Sequence, residues 1–143
     1  METPVSISED IAQQFNDSLE RCKRNSLFIK EFYVHFFSSD ALVRHVFAHT
    51  DMERQIEMLK GSLHMIMLVS QQPETADECL SHTAEIHHRL NIPPYLYDVW
   101  LESLIHTVST MDPKYDADIE NAWRAIMRTG IDYMKAYGNP DQP

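Results

Sequence analysis

Residues 84–100 of the chain read AEIHHRLNIPPYLYDVW, and this stretch is the most informative about the fold. Its first half continues a helix that Thr75 and Glu78, spaced like a capping box, predict to begin near residue 75 and to end near residue 91. Two prolines then break the chain, and the restricted φ of Pro94 suits the first turn of a new helix. That helix repeats apolar residues every four positions, at Leu96, Trp100, Leu104 and Val108. The stretch therefore predicts two consecutive amphipathic helices joined by a short turn.

Helix signals recur on both sides of this stretch. Ser6 with Glu9 and Thr50 with Glu53 are spaced like capping boxes, and Asp40 suits the N-cap of a short helix. Apolar residues at steps of three or four follow each signal, and Gly138 is placed to end the last helix. We count seven predicted helices with short connections, so the predicted fold class is all-α.

The composition indicates one globular domain. A chain of 143 residues with 43% hydrophobic and 24% charged residues has the size and balance of a single domain, which we place at residues 1–143. The three glycines, Gly61, Gly130 and Gly138, are too dispersed for a phosphate-binding loop or a dinucleotide fingerprint.

Charge and cysteine usage limit the partners and the compartment. The chain carries 22 acidic and 12 basic residues, a net charge of −10, which argues against nucleic acid and anionic membranes as partners. No signal peptide or membrane-spanning segment is predicted, and Cys22 and Cys79 form no metal or redox motif. We therefore expect a cytoplasmic protein with free thiols.

Two groups of residues together resemble the globin family, in particular bacterial single-domain globins and the globin part of flavohaemoglobins. The first is Ala84-x-x-His87-x-x-x-x-Ile92-x-x-x-x-Tyr97, followed by an apolar helix and later by Ala122-Trp123. The second is Phe32-Tyr33, then Val43-Arg44-x-x-Phe47, then Gln55-x-x-x-Leu59. The order and spacing of these pieces carry the resemblance, which is strongest over residues 26–134.

The resemblance implies a globin fold that encloses haem b, with His87 as the proximal ligand of the iron. Tyr33 and Gln55 match the polar residues on the distal side, where a diatomic gas such as dioxygen or nitric oxide binds. The remaining matches are a phenylalanine against the porphyrin, an apolar residue above the iron and a proximal tyrosine, namely Phe47, Leu59 and Tyr97.

Residue periodicity agrees with part of this assignment. Leu80, Ala84 and His87 lie on one helical stripe, whereas His82 and His88 are turned away from it by about 140° and about 100°. Periodicity alone also allows the alternative that all three histidines lie on an exposed helix and that none of them is an iron ligand. Likewise, Tyr33 can be an ordinary core tyrosine and Gln55 a solvated polar residue. Surface histidines also remain the simplest explanation of His45 and His49, which lack further ligands for zinc.

The sequence departs from the flavohaemoglobin pattern at the proximal side. In those proteins a glutamate of the last helix joins the histidine and the tyrosine, but no glutamate follows Glu120 here, and the matching position falls near Gly138. We also expect no reductase domain in the chain. Both departures weaken the case for efficient nitric oxide dioxygenation.

Three functions compete on this evidence. The leading hypothesis is a globin that reversibly binds a diatomic gas for scavenging, sensing or redox chemistry. The second is a nitric oxide dioxygenase-type enzyme served by an external reductase, and the third is a haem-free globin fold used as an interaction or sensor module. A homodimer is compatible with all three.

Overall fold

The computed structural model describes residues 7–137, and this part of the chain is helical with no β-strand. Seven α-helices follow one another, which confirms the predicted all-α class and the predicted number: α1 Glu9–Lys23, α2 Phe28–Ser39, α3 Ala41–Val46, α4 Met52–Gln71, α5 Ala76–Arg89, α6 Tyr95–Met111 and α7 Ala117–Ala136. A single 3₁₀ turn, Pro73–Thr75, precedes α5. No helix in the described range is long and apolar enough to cross a bilayer.

Capping side chains mark four of the seven helix starts, those of α1, α3, α4 and α7. Asp40 accepts a hydrogen bond from the Leu42 amide at 2.8 Å, as predicted for the start of α3. At the start of α4 the prediction is wrong by one residue, because Asp51 rather than Thr50 accepts from the Arg54 amide. A carboxylate accepts more strongly from the partly positive helix end than a hydroxyl does, and this favours Asp51. Ser8 caps α1, while the predicted cap Ser6 lies outside the described residues, as does Gly138.

The core forms where α1, α2 and α4 pack against α6 and α7. Trp123 of α7 is fully buried, with its ring centroid 4.7 Å from that of Phe15 and 6.3 Å from that of Phe28. The helices α4 and α7 approach closely at Gly130, where an added Cβ would lie 3.1 Å from Cγ1 of Ile66. Glycine at this position therefore leaves room for the Ile66 side chain against the backbone of α7.

A buried polar cluster, the α1–α7 corner, joins α1 to the turn between α6 and α7. Its acceptor is the Asp112 carboxylate, which receives hydrogen bonds from Ser18 at 2.5 Å and from Nε of Arg21 at 2.6 Å. The Ser18 oxygen in turn accepts from Nε1 of Trp123 at 2.9 Å. Burial raises the pKa of the Asp112 carboxyl, but hydrogen bonds from Arg21, Ser18 and the Lys114 amide outweigh this, so the pKa lies below its usual range.

Helix α5 is held far more loosely than its neighbours. Only two of its 14 residues are buried, Leu80 and Ala84, whereas α6 and α7 bury seven residues each. Because buried apolar contacts hold helices in place, α5 is expected to open at lower free energy than α6 and α7.

Candidate functional site

The first of two clusters of predicted site residues, the distal cluster, lies between α2, α4 and the residue after α3. Tyr33 of α2 is 4% exposed, and its hydroxyl oxygen accepts a hydrogen bond of 3.1 Å from Nε2 of Gln55 on α4. The Phe47 ring stands edge-on to Tyr33, with 5.9 Å between the ring centroids. The structure therefore brings together three residues, of which the outermost two, Tyr33 and Gln55, are 22 positions apart along the chain.

The Tyr33 hydroxyl is arranged as a donor. Its oxygen already accepts from Gln55, so its own hydrogen is available for another group. Burial raises the pKa of this phenol to about 12, with the Gln55 hydrogen bond acting in the opposite direction. The phenol therefore keeps its proton throughout the neutral range.

Leu59 completes the distal cluster on the α4 side. It follows Gln55 by one turn of α4 and is 7% exposed, so it presents an apolar surface beside the Tyr33–Gln55 pair. Met58, its neighbour, is instead 52% exposed, and Met65 also lies at the surface.

The second cluster, the proximal cluster, is built around His87 near the end of α5. The His87 ring is half-buried, and its Nδ1 lies 2.8 Å from the carbonyl oxygen of Thr83, one turn earlier. A carbonyl can only accept, so Nδ1 is the donor, and the neutral form of the ring has its lone pair on Nε2. No hydrogen bond to Nε2 occurs among residues 7–137.

The turn after His87 ends α5 in a defined way. The Ile92 and Asn91 amides donate to the carbonyls of His87 and His88, and Asn91 adopts a left-handed φ of 55°. This is the hydrogen-bond pattern of a Schellman motif, for which asparagine is the common substitute for glycine. The motif orients the chain toward α6, where Tyr97 lies with its ring centroid 6.0 Å from that of His87.

Tyr97 and the turn also line an open depression of about 500 Å³ between α5, the proline turn and α7. Burial raises the pKa of the Tyr97 phenol to about 12, so it too stays protonated at neutral pH. A larger surface depression lies at the other end of the molecule among charged residues such as Asp17, Arg24 and Lys114, and it contains none of the predicted site residues.

Sequence reasoning missed two apolar residues beside His87. Ile86 and Leu90 lie one turn apart on α5 and are 40% and 59% exposed. They flank His87 on the side opposite to His88, so α5 presents an imidazole next to an open apolar strip. The signal was present in the sequence as an apolar pair at i and i+4, but its exposure could not be read from periodicity.

The other candidate histidines are exposed, although His88 also lines the depression beside His87. His45, His49, His82 and His88 are exposed, and His64 lies 3.0 Å from Nζ of Lys23 at the surface. The described part of the chain contains no group of three or more His, Cys, Asp or Glu side chains suited to a metal ion. Arg89 forms an ion pair with Glu85, one turn earlier on the same helix.

The two clusters belong to neighbouring elements but remain distinct. Helix α4 contacts both α2 and α5, and the Phe32 ring of α2 packs edge-on against Trp100 of α6. Within residues 7–137, no hydrogen bond or ring contact connects a distal-cluster residue directly with His87. The fold thus contains two separate groups of interest: a buried hydroxyl donor at Tyr33 and a half-buried imidazole at His87.

Comparison with known proteins gives the chain its family. The globin family model matches residues 30–134, which is more than half of the chain. Among solved structures, the chain resembles protein PA3967 from Pseudomonas aeruginosa PAO1, described as structurally highly homologous to a human hemoglobin. The TM-score is 0.83 and the identity is 33%, over 89% of this chain and 97% of that one. No curated protein sequence matches. The chain is therefore a member of the globin family.

Proposed function

We propose that this globin binds haem b through Nε2 of His87 and uses it to bind a diatomic gas reversibly. The observation that carries the proposal is the hydrogen bond from Nδ1 of His87 to the Thr83 carbonyl, 2.8 Å long. This bond sets the tautomer and the ring orientation that a haem ligand requires. Membership of the globin family supports the same cofactor.

The surroundings of His87 fit such a group. A porphyrin is a flat apolar body, and Ile86 and Leu90 offer the open apolar strip against which it would pack. Haem supplies an iron atom at which dioxygen, nitric oxide or a similar diatomic molecule binds. The side chains proposed to hold the cofactor and its surroundings are His87, Tyr97, Phe47, Leu59, Ile86 and Leu90.

On the distal side, Tyr33 and Gln55 would hold the gas. The Tyr33 hydroxyl has a proton to donate, and Gln55 orients it by donating to its oxygen. A buried donor stabilises a partly negative ligand such as dioxygen more than it stabilises an apolar one. Slow dioxygen release follows, which suits scavenging, sensing or redox chemistry better than bulk transport.

One observation favours a binding protein over a dedicated nitric oxide dioxygenase. The acceptor for Nδ1 of His87 is a neutral backbone carbonyl, and among the described residues no carboxylate bonds to this ring. A neutral acceptor makes the imidazole a weaker electron donor than a carboxylate does. Nitric oxide consumption with an external reductant separates the two functions: one conversion per protein molecule indicates a binder, whereas repeated turnover indicates an enzyme.

The absorption spectrum tests the haem proposal directly. The purified chain is titrated with haem, reduced and exposed to carbon monoxide, beside His87→Ala and the matched control His82→Ala, which removes an exposed imidazole of the same helix. We expect one haem per chain with an intense Soret band, a changed ferrous spectrum in His87→Ala and no change in His82→Ala. Failure of the unaltered chain to take up haem would contradict the proposal and favour a haem-free interaction module.

A further inference from the structure

Helix α5 is tied to α7 by two hydrogen bonds of the same kind. The Tyr133 hydroxyl donates to Oδ1 of Asp77 at 2.8 Å, and the Tyr137 hydroxyl donates to Oε2 of Glu85 at 2.8 Å. Tyr133 lies in the last turn of α7 and Tyr137 is the residue that follows this helix, and the two carboxylates lie eight residues apart on α5. We call this pair of bonds the tyrosine clasp.

The two hydrogen bonds of the tyrosine clasp are made on the side of α5 that faces away from the open apolar strip of Ile86 and Leu90. Asp77 and Ile86 are nine residues apart, which is a rotation of about 180° around the helix, and Glu85 is turned by about 140° from Leu90. His87 lies between these two sides. The Tyr137 ring also contacts His88, with 6.1 Å between the ring centroids, so the clasp reaches the residue next to His87.

Because few residues of α5 are buried, these hydrogen bonds add to a small set of apolar contacts that attach it to the rest of the protein. Leu80 and Ala84 are its only buried residues, and both precede His87 by at least three positions. Both contacts of Tyr137, the hydrogen bond to Glu85 and the ring contact with His88, lie within two residues of His87. A change there rotates or shifts the last turn of α5, and the imidazole moves with it.

The ionisation states of the partners suit a lasting bond. The Glu85 carboxylate accepts from the Tyr137 hydroxyl through Oε2 and from Nε of Arg89 through Oε1. Burial and the hydrogen bond to Asp77 raise the pKa of the Tyr133 phenol to about 12, so it stays a donor.

We infer that Tyr133 and Tyr137 are positioning residues for His87, which hold the end of α5 in the register that presents the imidazole to haem. The inference rests on the proposed function for its consequence, but the clasp itself exists in the protein without haem. In this arrangement, phenols at the end of α7 donate hydrogen bonds to carboxylates of α5. The flavohaemoglobin pattern is different, because there a glutamate of the last helix lies next to the histidine.

The first arm of the test needs no cofactor. Amide hydrogen exchange is measured on the haem-free chain for Tyr133→Phe, Tyr137→Phe and the double variant. The matched control is Tyr115→Phe, which removes a phenol that donates to Glu120 at 2.6 Å, far from α5. Losing one hydrogen bond from a locally opening helix speeds exchange about fivefold. We expect that acceleration in residues 80–89 for both clasp variants, a larger one in the double variant, and none there for Tyr115→Phe. Unchanged exchange in the double variant, or equal acceleration by the control, overturns the inference.

The second arm tests positioning rather than stability. In the haem-loaded ferrous proteins, the iron–histidine stretching band is recorded by resonance Raman, together with the rate of haem transfer to an apoglobin acceptor. We expect a shifted or broadened band and about fivefold faster transfer in the double variant, with both unchanged in Tyr115→Phe. Faster α5 exchange without a change of the band would overturn the positioning role and leave only a structural tie.

Failure of the two proposals is distinguishable. If the unaltered chain takes up no haem, its own spectrum contradicts the proposed function and with it the positioning role. The exchange arm still decides in that case whether the clasp holds α5.

Discussion

The α1–α7 corner and helix α5 are held to the rest of the protein by opposite means. In the corner, a fully buried tryptophan and a buried carboxylate, Trp123 and Asp112, connect helices through hydrogen bonds that water does not reach. Helix α5 instead has two buried residues, and two of its surface carboxylates accept hydrogen bonds from Tyr133 and Tyr137. The corner is therefore the stable end of the molecule, and the weakly held helix carries His87. A cofactor-binding element is expected to belong to the part that opens most easily.

The largest expected effect comes from removing the centre of the stable end. Trp123→Ala deletes a fully buried indole and leaves Ser18 and Asp112 with an incomplete network. We expect the free energy of unfolding of the haem-free chain to fall by about 3–5 kcal/mol, measured by chemical denaturation. A loss below about 1 kcal/mol would mean that the corner is not the stable end.

Asp112→Asn should lower the free energy of unfolding by a smaller amount, and the size of this loss should depend on pH. Replacing the carboxylate that accepts from Arg21 should cost about 2 kcal/mol at neutral pH. The folded pKa of Asp112 lies below its unfolded value of about 3.9, so its contribution is complete above that pH and is lost as the pH falls through the folded pKa.

The stability difference between Asp112→Asn and the unaltered chain should therefore shrink below about pH 4. Acid denaturation series of both proteins, with the exposed Asp132→Asn as control, measure it. A difference that stays constant through this range would contradict the assignment of the carboxylate as ionised and bonded.

Tyr33→Phe tests whether the buried hydroxyl of the distal cluster holds the bound gas. The variant loses the donor but keeps the ring that packs against Phe47. Dioxygen release from the haem-loaded protein should become about tenfold faster, because one buried hydrogen bond to the ligand is lost. Stopped-flow release kinetics measure this, with Tyr115→Phe as the phenol control. Release as slow as in the unaltered protein would remove Tyr33 from the distal role.

The smallest effect on stability is expected at the open strip of α5. Ile86→Ala should change the unfolding free energy of the haem-free chain by less than about 0.5 kcal/mol, since the side chain is 40% exposed. The same change should speed haem loss about threefold, because apolar contact area with the porphyrin is removed. Leu27→Ala, at a residue 49% exposed and outside α5, is the control and should change neither quantity. Equal haem loss in both variants would contradict the role of the strip.

Much of the candidate site followed from local sequence signals. The spacing of Leu80, Ala84 and His87 placed the imidazole on the inner stripe of its helix, and the structure finds it half-buried there. The resemblance paired Tyr33 with Gln55, and the structure places them in hydrogen-bond contact. The exposure of Ile86 could not be predicted, because it depends on which neighbouring helix covers that side of α5.

The number of helices, the start of α3 at Asp40 and the apolar stripe that carries His87 followed from the sequence alone. Those properties depend on residues within one or two turns, so periodicity, capping side chains and proline positions are sufficient. Only the tertiary structure decided that Ser18 and Asp112, separated by 94 positions, form one buried network. It also decided that Tyr133 reaches Asp77, across 56 positions. Such pairs depend on how whole helices cross, and that geometry results from the packing of all side chains together rather than from any local run of sequence.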